Sequence, residues 1–269
     1  MNSYKQQVIE LYNSRTTYDC EEGTRHPLEA NLLLEFVPIQ KRDKILDVAT
    51  GTGLLAIPAA QKVGSEGNVI GIDMSPGMLH QAKLKVEAAS LQNIELIEAD
   101  AESINFNDSC FDAIFCCEAI VLFTDIPASL QRWYRFLKTG GFGAFTCPPE
   151  TAYMGAVYRN ICVRVLGISL PHILETLGTP EKCHNLLQQA GFRDIEIKIE
   201  PSGRYRHLRD DELSWKGLNL GFKGNPLLAK LSQSQLDQLQ VEYRAEIDKL
   251  ATDKGVWEDT TKFFVRGRK

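Results

Sequence analysis

No hydrophobic run in this 269-residue chain is long enough to cross a membrane. The most apolar stretch, Ile114 to Phe123, spans ten residues and contains Glu118, whereas a span needs about 20 apolar residues. The opening residues MNSYKQQVIELYN are polar and carry no apolar core ahead of a small-residue cleavage site. An excess of basic charge is missing too: 30 Lys and Arg face 35 Asp and Glu, a net charge of −5. That balance argues against a nucleic-acid or anionic-membrane partner, which needs a basic face. Cysteine occurs seven times but never as CxxC, so neither a disulfide framework nor a structural zinc site is expected. The cysteines read as buried small hydrophobes in a reducing cytoplasm, and no metal is expected.

What is present is a regular alternation of short apolar runs and helical patterns, as in a parallel sheet wrapped by helices. Strands are expected at 44–49, 68–73, 93–99, 111–117 and 142–147. A helix opened by Asp125 and Pro127 is expected to run to Lys138 and stop at Gly140-Gly141. Further on, Ile195, Ile197 and Ile199 alternate with charged residues, the pattern of a half-exposed edge strand. A last strand is expected at about 260–266. Residues 1–40, 151–178 and 208–254 look helical and fall outside this repeat. The domain plan is thus a cover segment (1–40), a cofactor core (41–150), cap helices (151–178), a core helix and strand (179–207), more cap helices (208–254) and a final core strand (255–269).

The informative stretch is Asp47-Val-Ala-Thr-Gly-Thr-Gly53, between the first strand and the next helix. Glycine there permits a tight turn and close approach of a ligand beside the donor end of the helix. Asp73, 22 residues after Gly51, ends the second strand, where a carboxylate can accept from both ribose hydroxyls of a nucleoside. Both a nicotinamide dinucleotide and S-adenosylmethionine (AdoMet) satisfy that arrangement. Asp47 favours the second, because a negative charge aimed at the turn repels a pyrophosphate and suits a ligand bearing ammonium and sulfonium groups. Tyr134 and Lys138 form a YxxxK resembling a dehydrogenase pair, but no serine stands about 13 residues upstream.

The successive strings LDVATGTG, GIDMS, EADAE, FDAIFCCEAI and RFLKTGGFGAF resemble, in order and spacing, the motifs of class I AdoMet-dependent methyltransferases. They are most similar to the branch containing the ubiquinone/menaquinone C-methyltransferases. The resemblance is strong over about residues 40–150. It implies an α/β fold: a Rossmann-like seven-stranded sheet with its last strand antiparallel, flanked by helices and capped by helical insertions. It implies that Asp47, Ala49, Thr50, Gly51 and Gly53 line the methionine and ribose parts of AdoMet, with alanine where the family usually has glycine at position 49. Asp73 is implied for the ribose hydroxyls, Met74 for the adenine face, and Asp100, Ala101 and Glu102 for its edge. Cys117 and Glu118 are implied near the reactive methyl.

Methyl transfer from a sulfonium is an in-line displacement whose main demand is alignment; a base is needed only if the nucleophile must lose a proton. Glu118, His26 and Tyr18 are the catalytic candidates. Tyr12, Tyr153, Met154, Tyr158, Trp215 and Phe222 are candidates for an apolar acceptor pocket, or equally ordinary core of the cover. The expected activity is methyl transfer to an oxygen, nitrogen or carbon atom of a small molecule such as a secondary metabolite or cofactor precursor. The alternatives are a nicotinamide oxidoreductase and a non-catalytic AdoMet-binding protein of the same fold.

Overall fold

The structure is a computed structural model, and it describes residues 3–20, 25–167, 169–207, 221–223, 225 and 227–269. Nine strands are seen among them: β1 (Lys44–Val48), β2 (Asn68–Asp73), β3 (Ile94–Glu98), β4 (Phe111–Cys116), β5 (Leu137–Cys147), β6 (Arg193–Glu200), β7 (Gly203–Arg206), β8 (Val256–Asp259) and β9 (Lys262–Arg268). The helices are α1 (Ser3–Asn13), α2 (His26–Phe36), α3 (Ala56–Val63), α4 (Pro76–Ala88), α5 (Ile126–Phe136), α6 (Gly155–Leu166), α7 (Pro180–Gln189) and α8 (Gln233–Leu250). No helix among the described residues is long and apolar enough to cross a membrane.

Seven strands form one sheet in the order β3-β2-β1-β4-β5-β9-β6. The strands β1 to β5 run parallel. Gly140 and Gly141, in the first half of β5, exchange backbone bonds with Lys269, which follows β9, so the last strand runs antiparallel between β5 and β6. The half-exposed β6 lies at the sheet edge, as its alternation predicts. On one face, Ile45, Val69, Ala113 and Phe115 pack with Leu33 and Leu34 of α2 and Ala56, Ala59 and Ala60 of α3. Their neighbours Leu46, Val48, Ile70, Ile72, Ile114 and Cys116 point the other way and are also buried. Burial on both faces explains why these strands read as continuous apolar runs.

Two expectations need correction. The helix α5 ends at Phe136, not Lys138, and β5 begins at Leu137, five residues early. The Gly140-Gly141 pair lies inside the strand: Gly140 has φ +85°, and the β4–β5 register slips beside it, a bulge that glycine accommodates. The second concerns 255–259, where Val256–Asp259 is a strand of its own, paired antiparallel with Gly203–Arg206 in a separate two-stranded sheet. Glu258, buried between strands, holds Arg204 and Arg206, and Tyr205 meets Trp257 edge-on.

The chain divides into two compact units. One comprises residues 7–147, 183–198 and 264–269 and contains most of the sheet. The other comprises 1–6, 148–182 and 199–263. In it α6 and α8 pack through Ile161, Cys162, Leu239, Tyr243 and Ile247, and Arg164 pairs with Glu242 and Glu246.

Candidate active site

The strand order reverses direction between β1 and β4: β2 and β3 lie on one side of β1, β4 and β5 on the other. Loops leaving the carboxyl ends of β1 and β4 therefore diverge and leave a crevice, the usual ligand position in such sheets. A cleft lies there, lined by the turn from Ala49 to Thr52, by Asp47, by Cys117 and Glu118, and by Tyr18 and His26.

The turn after β1 is held from within. Ala49, Gly51 and Gly53 have φ of +55°, +56° and +81°. The buried Asp47 accepts the Thr50 hydroxyl at 2.6 Å, and the Thr50 N–H reaches the Ile72 carbonyl at 2.9 Å. Asp73 accepts the Gly51 N–H on one oxygen and the Ser75 N–H on the other, both at 2.8 Å. A side chain added at Gly51 would meet nothing within 4 Å, so the turn faces open space there. Burial pushes the Asp47 carboxyl up to about 7, against the Thr50 hydrogen bond and aided by Asp73. Burial also raises Asp73, against its three backbone donors.

Glu118 has a left-handed backbone, φ +60°. Thr146 fixes it: the hydroxyl accepts the Glu118 N–H at 2.8 Å and donates to its carboxylate at 2.6 Å. Burial, with Glu118 beside it, pushes the Cys117 thiol well up and keeps it neutral. The wall opposite comes from the N-terminal segment. Tyr18 stacks on His26 with ring centres 4.3 Å apart, and Arg15 lies over the rings of Tyr12 and Tyr18. Burial raises the Tyr18 hydroxyl well above its ordinary value. Asp19 accepts from Thr52 and pairs with Lys85 of α4, while Asn13 accepts from the Ser75 hydroxyl and the Gly77 N–H.

The other expected residues are placed as follows. Met74 follows Asp73 in the turn into α4. Asp100 accepts the Glu102 N–H at 2.9 Å, bending the chain at Ala101. The Glu102 carboxylate accepts from the Thr124 hydroxyl and the Asp125 N–H, so it braces the loop before α5. Met154, Tyr158 and Phe222 belong to the hydrophobic cluster of the second unit, where Tyr158 stacks on Tyr243 and shares a hydrogen bond with it. The Tyr153 side chain and Trp215 lie outside the described residues. Tyr134 packs on Phe192 and Lys138 pairs with Asp112, so the YxxxK does not assemble a dehydrogenase pair. Sequence reasoning missed Thr52, Thr146 and Glu29. The one signal for Glu29 is its place three residues after His26 in a helical pattern, on the same face, which by itself marks only a helix charge.

Residues 45–141 match a family model described as a methyltransferase domain. A demethylmenaquinone methyltransferase of Thermus thermophilus is 35% identical over 179 residues, 60% of this chain and 78% of that protein. An aklanonic acid methyltransferase of Streptomyces sp. (strain C5) is 35% identical over 150 residues, covering 55% and 67%. This chain belongs to the class I AdoMet-dependent methyltransferases.

Among solved structures, the methyltransferase superposes on the YcgJ protein of Bacillus subtilis with a TM-score of 0.60 at 16% identity, covering 91% of this chain and 99% of that one. On Haemonchus contortus phosphoethanolamine N-methyltransferase 2 bound to AdoMet the TM-score is 0.57 at 21% identity, covering 99% and 57%. Both likenesses concern the fold. The methyltransferase uses AdoMet, and its cleft fits that cofactor on its own terms. Asp47 is a buried carboxylate that no cation among the described residues offsets, its pKa pushed up to about 7, and Gly51 fronts open space beside it. The nicotinamide alternative is set aside by the family.

Proposed function

We propose that this enzyme methylates a small-molecule acceptor at the Glu118 and His26 side of the cleft. The observation carrying this reading is the convergence of three elements on one crevice: the Asp73-braced glycine turn, the Thr146-fixed Glu118, and the Tyr18–His26 wall. Bound AdoMet supplies a methyl group on a positively charged sulfur. Asp73 would accept from the ribose hydroxyls, and Asp47 would face the cofactor's positive charge. Met74 would pack on the adenine, with Asp100 and the Ala101 N–H at its edge. Glu118 would orient the acceptor or take its proton. The Tyr12, Arg15 and Tyr18 stack would exclude water, and Tyr18 and Cys117, held neutral, would not compete as nucleophiles.

The acceptor is a small molecule with an oxygen, nitrogen or carbon nucleophile, in cofactor or secondary metabolism, as the relatives acting on demethylmenaquinone and aklanonic acid support. A net charge of −5 supports an acceptor other than nucleic acid. None of the seven cysteines forms a disulfide, which supports work in a reducing cytoplasm. Calorimetry with S-adenosylhomocysteine, followed by labelled AdoMet in extract of the source cells, tests the reading. Micromolar binding and label in a small molecule are expected. Binding with label only in protein or RNA would refute the acceptor class, and absence of binding would refute the site.

A further inference from the structure

His26 and Glu29 lie one turn apart at the start of α2, and Glu118 approaches them from the loop after β4. One ligand-type atom of each lies within 4.8 Å of the other two. Neither ring nitrogen of His26 is accessible or hydrogen-bonded among the described residues. The Glu29 side chain is 5% exposed and its carboxylate stands 3.9 Å from His26 Nδ1, too far for a hydrogen bond. Native proteins seldom leave a buried imidazole unpaired in this way, and an ion is one of the few explanations where they do. The stacking of Tyr18 holds the imidazole plane, and Thr146 holds Glu118, so two of the three groups are oriented in advance, as outer-shell contacts orient metal ligands.

We propose that His26, Glu29 and Glu118 form a three-ligand site for one divalent transition-metal ion, zinc or manganese, whose open positions receive an oxygen of the methyl acceptor. One imidazole and two carboxylates match the donor preference of these ions. Two carboxylates and a neutral imidazole balance a charge of +2. Three protein ligands leave room for a further one, as in catalytic rather than structural sites. The sequence hides this set, because Glu118 lies 89 residues beyond Glu29 and joins it only when β4 pairs with β1. The acceptor's place in the proposal rests on the reading that methyl transfer occurs beside Glu118; binding of the ion does not.

The test uses the full chain, stripped with a chelator and free of cofactor. Manganese(II) is titrated in and the free ion followed by electron paramagnetic resonance, with zinc as competitor. S-adenosylhomocysteine binding is measured on the same samples. One manganese per chain, displaced by one equivalent of zinc, is expected. Glu29→Gln and His26→Ala should each weaken uptake by at least about tenfold, with unchanged circular dichroism, and Glu29→Gln should leave S-adenosylhomocysteine affinity unchanged. No stoichiometric uptake of either ion, or uptake indifferent to both substitutions, overturns the site. Failure of the unaltered protein to bind S-adenosylhomocysteine overturns the methyl-transfer reading instead, whatever the ion does.

Discussion

Asp73 receives a backbone N–H on each carboxylate oxygen, whereas His26, on the wall of the same cleft, has a hydrogen-bond partner among the described residues on neither ring nitrogen. The first arrangement is complete before any ligand arrives, and its donors come from backbone that the sheet itself positions. The second is assembled from side chains on separate elements and leaves valences open. A cofactor shared by many enzymes suits rigid backbone preorganisation, while replaceable side chains would suit the acceptor, the variable partner.

The strongest way to break this contrast is at Asp73. Asp73→Ala removes a carboxylate and orphans the Gly51 and Ser75 amides, each bond to a charged group contributing about 1.5–3 kcal/mol. S-adenosylhomocysteine affinity should fall by about 100-fold by calorimetry, and retention of wild-type affinity would show the cradle is not the binding determinant. At the other end, Glu118→Gln should lower kcat by about 10–100-fold and leave S-adenosylhomocysteine binding intact. An equal loss of binding would place Glu118 on the cofactor side.

The pH dependence of AdoMet binding sharpens the comparison further. Burial holds Asp47 at about 7, so below that pH the unliganded protein keeps it protonated. A bound cation favours the ionised form and releases the proton. Affinity should therefore rise with pH, approaching about tenfold per unit, and level off above about 7. Asp47→Asn should flatten the profile in calorimetry at several pH values, and a slope that survives would assign the proton elsewhere. The smallest effect belongs to Ala49→Gly. Relief of a left-handed backbone, about 1 kcal/mol, opposes a similar gain in unfolded-chain entropy. The melting temperature should stay within about 3 °C, and a larger drop would mean that the methyl group packs.

The cradle was legible from sequence because it depends on local chemistry: Gly51, Gly53 and Asp73 announce a turn and its brace within 23 residues. The sheet was legible because strands buried on both faces leave unbroken apolar runs. The early start of β5 was not, since Leu137 and Lys138 continue the helical pattern of α5 and only pairing with β4 overrides it. Nor was the β7–β8 pair, whose four-residue strands are too short to show a period. Glu29 escaped for a different reason: its neighbours in sequence mark it as an ordinary helix charge, and its partner Glu118 comes from the loop after β4.

Asp19 binds the N-terminal segment to Thr52 on one side and Lys85 on the other. Swinging away the wall made by Tyr18 and His26 means breaking that ion pair, whose two side chains are about one-third exposed. Contacts of that kind weaken as mobile ions crowd around them. Where spent cofactor leaves by that movement and its departure is the slow event, a buffer with more salt should make the enzyme turn over faster.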